Sequence, residues 1–470
     1  MKLRKLSQLA LASGIGLAVA AALTACQLVT VDYVFLAGSA ATTSGGAIQT
    51  FAVDSQSGAL RYANNSGSAP VDSGGSSPVA LAVDGSYANL YVANRGNNSV
   101  VHFTIDGSGN LKSSDSITLS DTPVALAVAP SGSGLFVAYG SSSATLAEYS
   151  LSSGKIGSVV AQETLTIPGY AGDTVLPTAV TVMANGAGVY ATVYDKSAYN
   201  PGGTTTSTAT LAEYSLSSGK IGSVVAQQAL TIPGYAGDIV LPTAVTVMAN
   251  GAGVYATVYD KSAYNPGGTT TSTANPGWVY SYAIGSNGAL TQAPDSPYRA
   301  GVKPSALVAD PANRFLYIVD FASNQMIGFG ISSGTTLNYL ISGPFKTGNQ
   351  PSAVTIDPRG KFIYVANSLD STVSAYAIDL PTGIPSATIS TTGSSNTSTD
   401  TQPNSIVVEP AEARYVYTAN TLGNSVSGFR LNPNTGVINQ TQATPYPSDE
   451  KPTAVVAVPH GNHPSQVVVQ

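Results

Sequence analysis

Three short runs of sequence decide the fold class: Pro351 to Asp357 (PSAVTID), Lys361 to Asn367 (KFIYVAN) and Thr372 to Ile378 (TVSAYAI). In each run, apolar residues alternate with small or polar ones, which is the period-two pattern of a β-strand with one buried face. Polar turns separate the runs. The stretch therefore predicts three consecutive strands of one small sheet.

This proline-led unit recurs along the chain, and its second run repeatedly includes an aromatic residue that we expect to pack between neighbouring sheets. The units begin at Pro78, Pro123, Pro177, Pro242, Pro304, Pro351 and Pro403, with an incomplete unit at Pro452. Their spacing suits one four-stranded propeller blade with insertions. We predict an all-β fold, a single β-propeller with eight blades, or seven if one unit is distorted.

The two ends of the chain complete one blade in this scheme. Residues 452–458 match a first, innermost strand, and residues 33–37 and 47–53 match later strands of a blade that lacks its own first strand. The predicted propeller domain spans residues 33–470. A second strand-like run at 466–469 competes with 33–37 for the same place, and the sequence leaves both arrangements open.

One segment has been copied almost unchanged. Residues 144–208 and 209–273 form tandem units that differ only at Glu163/Gln228, Thr164/Ala229 and Thr174/Ile239. A propeller accepts such a copy because each blade contacts mainly its neighbours. We therefore expect the copy to have widened the ring by one blade.

Composition agrees with a folded, helix-poor body and limits its partners. Charged residues make up 9% of the chain and hydrophobic residues 43%, with 25 Tyr. The formal net charge is −6, and no cluster of Lys and Arg occurs outside the first five residues. Binding to nucleic acid calls for such clusters, so we exclude nucleic acid as a partner.

The N-terminus predicts export and lipid anchoring. Lys2, Arg4 and Lys5 precede an apolar stretch over residues 9–23, which is too short for a comfortable membrane span but typical of a signal peptide. The sequence LTAC (23–26) resembles a bacterial lipobox, so residues 1–25 would be removed and Cys26 lipidated. Residues 26–32 would form a tether. Cys26 is the single cysteine, and Gln27 rather than Asp follows it, which favours the outer membrane.

The YVAN-type strands at 91–94, 364–367 and 417–420, with PSAVTIDP (351–358) and GNNSV (96–100), resemble lactonase-family propellers. That family includes 6-phosphogluconolactonase-like proteins and YVTN-repeat surface proteins. The resemblance covers nearly all of the mature chain and implies the propeller fold. It implies lactone hydrolysis as an activity, with His, Arg and Glu expected at one mouth of the channel.

Candidate site residues follow from propeller geometry. The loops that enter each inner strand and those between the second and third strands open on the same face. The candidate bases or ligands there are Asp195, Asp260, Asp320 and Asp370, with Arg95 as a clamp for an anionic group. The binding candidates are Asn94, Lys196, Lys261, Lys303, Asn367 and Asn420. The alternative is that these Asp and Asn residues cap turns.

Signals for other chemistry are weak. His102 lies on a predicted third strand, and His460 and His463 flank a turn without a third ligand nearby. No metal site and no cofactor are predicted, although a divalent metal in the central channel stays open. There is no thiol beyond Cys26.

The sequence leaves two candidate functions open. The first, which we favour from the sequence, is a cell-envelope binding or scaffold module for a glycan, peptide or protein partner, attached to the membrane by its lipid. The polar loops and the recent copy favour it, since widening the ring would disturb a catalytic mouth more than a binding rim. The second is a lactone hydrolase of the resembled family.

Overall fold

A computed structural model describes residues 29–39, 45–63, 69–168, 174–183, 185–196, 209–217, 220–233, 240–261, 277–286, 288–388, 393–449 and 451–461. Within these ranges the chain forms eight antiparallel sheets and very little helix, with one complete 3-10 turn at Ser333–Thr335. Each sheet has four successive strands, and five sheets have a short fifth strand. The predicted all-β propeller with eight blades is confirmed.

Blades are numbered here along the chain, with strands given from the channel outward. Blade 1 consists of Pro78–Val83, Asn89–Asn94, Ser99–Ile105 and Leu111–Thr118. Blade 2 consists of Pro123–Val128, Gly134–Tyr139, Thr145–Ser152 and Lys155–Thr164. Blade 3 consists of Val175–Val182, Gly188–Asp195, Ala209–Ser217 and Lys220–Leu230. Blade 4 consists of Val240–Val247, Gly253–Asp260, Trp278–Ile284 and Leu290–Gln292, with Tyr298–Arg299 as the fifth strand.

The other four blades all have a fifth strand, which pairs with the third. Blade 5 consists of Pro304–Ala309, Phe315–Asp320, Gln325–Ile331 and Leu337–Tyr339, plus Phe345–Lys346. Blade 6 consists of Pro351–Ile356, Phe362–Asn367, Thr372–Ile378 and Pro385–Ala387, plus Asn396–Ser398. Blade 7 consists of Pro403–Val408, Tyr415–Asn420, Ser425–Leu431 and Ile438–Gln440, plus Tyr446–Pro447. Blade 8 consists of Ala454–Pro459, Thr30–Ser39, Gly46–Asp54 and Leu60–Tyr62, plus Val71–Asp72.

Blade 8 closes the ring with strands from both ends of the chain. Tyr33 pairs with Val458 and Ala37 with Ala454, so the N-terminal strand lies second and the C-terminal strand innermost. The shared blade predicted from the sequence is therefore confirmed. The competing run at 466–469 lies outside the described residues.

Buried second strands hold neighbouring blades together through their aromatic residues. Tyr91, Tyr317 and Tyr364 are fully buried, as predicted for the aromatic of each unit. In blades 1, 5, 6 and 7 the tyrosine hydroxyl donates to the carbonyl of a glycine in an outer turn of the next blade. The bonds are Tyr91 to Gly154 at 2.6 Å, Tyr317 to Gly383 at 2.7 Å, Tyr364 to Gly436 at 3.2 Å and Tyr417 to Gly58 at 2.8 Å.

Glycine is required where these bonds end. Gly58 has a φ of +70°, which L side chains rarely adopt, and a Cβ there would lie 2.1 Å from the Tyr415 ring. The turn and the neighbouring aromatic therefore fix the blade spacing together.

The copied segment is out of phase with the blades. Residues 144–208 supply the third and fourth strands of blade 2 and the first two strands of blade 3. Residues 209–273 supply the last two strands of blade 3 and the first two of blade 4. The copy therefore adds one blade's length while joining halves of two blades.

The predicted signal peptide and Cys26 lie outside the described residues. In the part of the chain that the structure describes, no helix is long and apolar enough to cross a membrane.

Candidate functional site at the channel mouth

A cavity with a mixed polar and apolar lining opens between blades 1, 2 and 3, where second strands end and inner strands begin. Its volume is about 380 Å³. The lining residues are Val79, Arg95, Thr122, Pro123, Val124, Gly140, Ser141, Leu176, Pro177, Thr178, Tyr194 and Lys196. Two cations and several hydroxyl groups therefore face one space, and none of the described lining residues is a carboxylate.

The two cations sit on loops whose backbones are fixed. Arg95 has an exposed side chain, and its N–H donates to the Ser77 carbonyl at 2.9 Å. Lys196 also has an exposed side chain, and its backbone N–H donates to the Thr174 carbonyl at 2.7 Å. A guanidinium can bind a carboxylate or phosphate in a bidentate manner, and an ammonium adds a point charge. The structure thus brings together two predicted site residues that are 101 positions apart.

Hydroxyl groups in the cavity are held by partners of their own. Asp121 Oδ2 accepts from the Ser141 N–H at 2.7 Å and from the Ser141 hydroxyl at 2.9 Å. Although partial burial opposes it, these bonds and those from Thr122 hold the pKa of Asp121 below its usual value. Thr178 shares a hydrogen bond of 2.7 Å with the Thr192 hydroxyl.

Blade 2 supplies cavity residues that the sequence-based selection missed. Ser141 and Thr122 occupy the same second-strand and entry loops that gave the other candidates, but the second strand of blade 2 ends in AYGS (138–141) rather than in Asn or Asp followed by a charged residue. Applying the loop rule to every blade, whatever the residue type, would have found them.

Asp320 lies outside this cavity, in blade 5, and serves as an acceptor for backbone. Its carboxylate accepts from the N–H groups of Val302 and Lys303, both at 2.9 Å, and of Ala322 at 3.2 Å. It also accepts from the Gln325 amide at 3.2 Å. Four donors surround the fully buried Asp320 carboxylate, which is the turn-capping arrangement expected as the alternative to a catalytic role.

The other candidate acids are spread around the ring. Asp370 is exposed and accepts from the backbone and side-chain N–H groups of Asn349, at 2.6 and 2.7 Å. Asp195 and Asp260 are buried at matching positions of the two copies, across from Val175 and Val240. The structure therefore places the four candidate acids on four different blades.

The candidate asparagines are buried and tie loops to strands. Asn94 donates to the Ser73 carbonyl at 2.9 Å and accepts from the Ser73 hydroxyl at 2.8 Å. Asn367 accepts from the Gly348 N–H at 3.1 Å. Asn420 donates to the Ser427 hydroxyl at 2.9 Å. All three are fully buried, so each shapes the mouth from beneath its surface.

Lys303 and Lys261 lie near the boundary of blades 4 and 5. The Lys303 ammonium is 4.4 Å from the centre of the Phe321 ring and 5.7 Å from that of Tyr259. Burial lowers the pKa of Lys303 from its usual value. Lys261 is half-buried, directly after the second strand of blade 4.

The described histidines have structural neighbours. His102 is fully buried, with its two ring nitrogens 2.6 Å from Asp115 Oδ1 and 2.8 Å from Asn89 Oδ1. His460 packs edge-on against Tyr33 at 5.4 Å. His463 lies outside the described residues. Among the residues that are described, no group of three or more His, Cys, Asp or Glu side chains is placed to hold a metal ion.

Comparison with known proteins identifies the scaffold. A family model described as "Lactonase, 7-bladed beta-propeller" matches residues 44–171 and 277–457. The unmatched residues between these segments contain all of blade 3 and the first two strands of blade 4. Most of the copied region therefore falls where a seven-bladed model has no counterpart.

Solved structures with the same fold include three of this type. The periplasmic gluconolactonase of Pseudomonas aeruginosa is 16% identical, with a TM-score of 0.55, over 91% of this chain and 99% of that one. The putative 6-phosphogluconolactonase of Bacteroides fragilis is 15% identical, with a TM-score of 0.54, over 91% and 98%.

The putative 6-phosphogluconolactonase of Bacteroides uniformis is 14% identical, with a TM-score of 0.56, over 92% and 100%. Comparison with curated proteins gave no match. Because the family model covers well over half of the sequence, this chain belongs to the lactonase family of β-propellers, here with eight blades.

Proposed function

We propose that this chain is an exported propeller that binds an anionic, sugar-derived lactone or the corresponding sugar acid in the mouth cavity. The observation that supports this most directly is the described cavity lining, which has Arg95 and Lys196 as cations beside several hydroxyl groups. Family membership points to lactones as the ligand class. Opposite charges on ligand and cavity then favour the anionic members of that class.

Each group has a distinct part in recognition. The Arg95 guanidinium would receive a carboxylate or phosphate through two parallel hydrogen bonds, and Lys196 would add charge. Ser141, Thr178 and Tyr194 would match the ligand's hydroxyl groups, since each can both donate and accept. Asp121 positions Ser141 for this by accepting its N–H and O–H.

Hydrolysis of the bound lactone is the second candidate function. Water attack on the carbonyl requires a base and a donor for the developing oxyanion. Asp121 is the carboxylate bonded to a cavity residue, but its lowered pKa makes it a weak base. We therefore expect binding to be the stronger property and turnover, if present, to be slow. The name of the similar Pseudomonas protein, a gluconolactonase, supports hydrolysis as a candidate function.

The proposed location is the cell envelope. Export is supported by the periplasmic location in the name of that relative and by the signal-peptide pattern of residues 1–25. A lipid on Cys26 would join the membrane to the N-terminal strand of blade 8 through a few residues. Because Gln27 rather than Asp follows Cys26, the proposed destination is the outer membrane.

Ligand binding is tested by titrating the protein with gluconate, 6-phosphogluconate and neutral glucose in a calorimeter. We expect both anions to bind and glucose to bind at least tenfold more weakly. The Arg95→Ala/Lys196→Ala double variant should lose about 100-fold in anion affinity, roughly tenfold for each charge-assisted contact. The Lys112→Ala/Lys155→Ala variant removes two exposed cations elsewhere and should bind normally. Equal affinity for glucose and gluconate would overturn the proposal.

Hydrolysis is tested separately by pH-stat measurement on a lactone panel that includes gluconolactone and 6-phosphogluconolactone. Turnover above buffer that Arg95→Ala/Lys196→Ala abolishes would establish a hydrolase at this cavity. Binding of the acids without turnover would establish the binding function and remove the hydrolase candidate.

A further inference from the structure

A second cavity lies on the outer rim of the ring, between blades 4 and 5. It opens where the outer edge of blade 5 is interrupted, between Leu337–Tyr339 and Phe345–Lys346. Its volume is about 300 Å³, at the lower end of the range for small-molecule sites. The lining residues are Arg299, Gln325, Ile327, Gly328, Tyr339, Leu340, Gly343 and Pro344.

An aromatic ring forms one wall and is held in place. Tyr339 is 54% exposed, although its ring packs against Phe329 at 4.7 Å between centres. The Tyr339 hydroxyl donates to the Arg299 carbonyl in blade 4 at 3.1 Å. A large aromatic surface is thus presented to solvent in a fixed orientation, beside apolar Ile327 and Leu340.

The polar side of this cavity is cationic. The Arg299 guanidinium lies 5.6 Å over the Trp278 ring, and no described carboxylate forms an ion pair with it. Gln325 is directly opposite Lys346 in the ladder, so the two side chains share a face. The cavity therefore combines an amide, a held guanidinium and a nearby lysine.

Glycine keeps this cavity open. A Cβ on Gly328 would lie 2.6 Å from Leu340 Cδ1, so any side chain there would displace Leu340 or fill the space. Gly328 belongs to the third strand of blade 5, where glycine weakens a strand and commonly marks close approach of another group.

We infer that this rim cavity binds a pyranose with a carboxylate, a hexuronic acid unit of an acidic glycan. The C–H face of the sugar would pack on Tyr339, and its carboxylate would take the bidentate position on Arg299. The Gln325 amide nitrogen donates to Asp320, so its oxygen would accept from a ring hydroxyl, and Lys346 would add charge attraction. The site lies on the outer edge of the disc and uses none of the mouth residues.

The single tryptophan makes the site directly observable. Trp278 is the only one in the chain, and Arg299 covers its ring, so a ligand that moves the guanidinium should change the fluorescence. The experiment titrates the full chain with galacturonic acid, digalacturonate and glucose. Saturation-transfer NMR on the sugar protons gives a second measurement that does not depend on Trp278. Digalacturonate and galacturonic acid should bind, and glucose should be at least tenfold weaker.

Three variants test the assignment. Arg299→Ala and Tyr339→Ala should each weaken digalacturonate binding by about tenfold or more in the NMR titration. Gly328→Ala should block the cavity while leaving every polar group in place. Leu422→Ala removes another exposed apolar residue, 61% exposed on blade 7, and should bind normally.

Any one of three results would overturn the inference: equal binding of glucose and galacturonic acid, unchanged binding in all three cavity variants, or the same fluorescence change when acetate is added. Loss of binding in Arg95→Ala/Lys196→Ala with no loss in Arg299→Ala would assign the glycan to the mouth instead.

Discussion

Two arcs of the ring use the same inner-strand position differently. In blades 5 to 8, the residue after the first proline donates to the carbonyl of the corresponding proline of the next blade. These bonds, here called the girdle, are Ser305 to Pro351 at 2.7 Å, Ser352 to Pro403 at 2.8 Å, Asn404 to Pro452 at 3.5 Å and Thr453 to Pro78 at 2.9 Å. In blades 1 and 2 the position is occupied by Val79 and Val124, and in blades 3 and 4 Thr178 and Thr243 bond within their own blades.

The cavity lies where the girdle is missing. Val79, Val124 and Thr178 all line it. The tyrosine bonds divide differently: in blades 3 and 4 the hydroxyls of Tyr190 and Tyr255 contact a methionine of their own blade, at 3.4 and 3.3 Å, whereas Tyr91 of blade 1 reaches the next blade. A polar group at this position thus either closes a blade boundary or bonds within its own blade, and valine there makes neither bond.

The largest expected effect comes from deleting residues 209–273, one complete copy. Because the two copies are nearly identical, residue 208 joins residue 274 in the same sequence context, and strand order is preserved. We expect a folded, seven-bladed ring that unfolds cooperatively, with a smaller radius in X-ray scattering. The cavity residues Arg95, Ser141 and Lys196 are retained, so gluconate binding should persist.

A matched control deletes residues 144–208, the other copy of the same length. The two products differ only at the three positions where the copies differ, so both deletions should behave alike. If either gave only aggregated or unfolded chain, the ring would depend on eight blades, and the copy would not be a removable unit.

The next effect distinguishes the two copies at one glutamate. Glu148 in blade 2 accepts the Ile221 N–H of blade 3, whereas its counterpart Glu213 accepts the Tyr190 hydroxyl at 3.3 Å, and its Oε2 has no donor among the described residues. Burial raises the pKa of Glu213 to about 7, although the bond from Tyr190 opposes the shift. The folded state therefore holds a proton that the unfolded chain releases near pH 4.5.

The sign of the pH dependence follows. A raised carboxyl pKa lowers the free energy of unfolding as pH rises from about 4.5 to about 7, and the loss is complete above that. Glu213→Gln should therefore be more stable than the parent at pH 8 by on the order of 1–3 kcal/mol, and nearly equal at pH 4.5. Denaturant unfolding at the two pH values measures this. Glu148→Gln should be destabilised at pH 8, and equal effects of the two substitutions would contradict the contrast.

The smallest effect concerns the girdle. Ser352→Ala removes one bond between blades 6 and 7 and should lower the free energy of unfolding by about 1 kcal/mol. Amide exchange should increase mainly in the inner strand of blade 7. Ser386→Ala, at an exposed position of the outer strand of blade 6, should change stability by no more than a few tenths of a kcal/mol. An equal loss from both would show that the girdle adds no stability of its own.

Local pattern was sufficient for most of the fold. Strand alternation, the prolines and the aromatic of each second strand repeat within a few residues, because side chains alternate between faces with a period of two. The count of eight blades and the shared closing blade follow from that repeat. The phase of the copied segment did not follow, because a strand's position within its sheet depends on which neighbour it pairs with.

The candidate site shows more clearly what the sequence alone cannot predict. Sequence placed Arg95 and Lys196 on the same mouth, because loops at the same end of a blade open on one face. Only the tertiary structure brought them to one cavity with Ser141. Only it surrounded Asp320 with four donors and left one oxygen of Glu213 without a donor among the described residues. The sequence by itself determined strands, blades and closure, since these arise from short-range periodicity. The partners of each polar group come from distant loops, and only the assembled ring decided them.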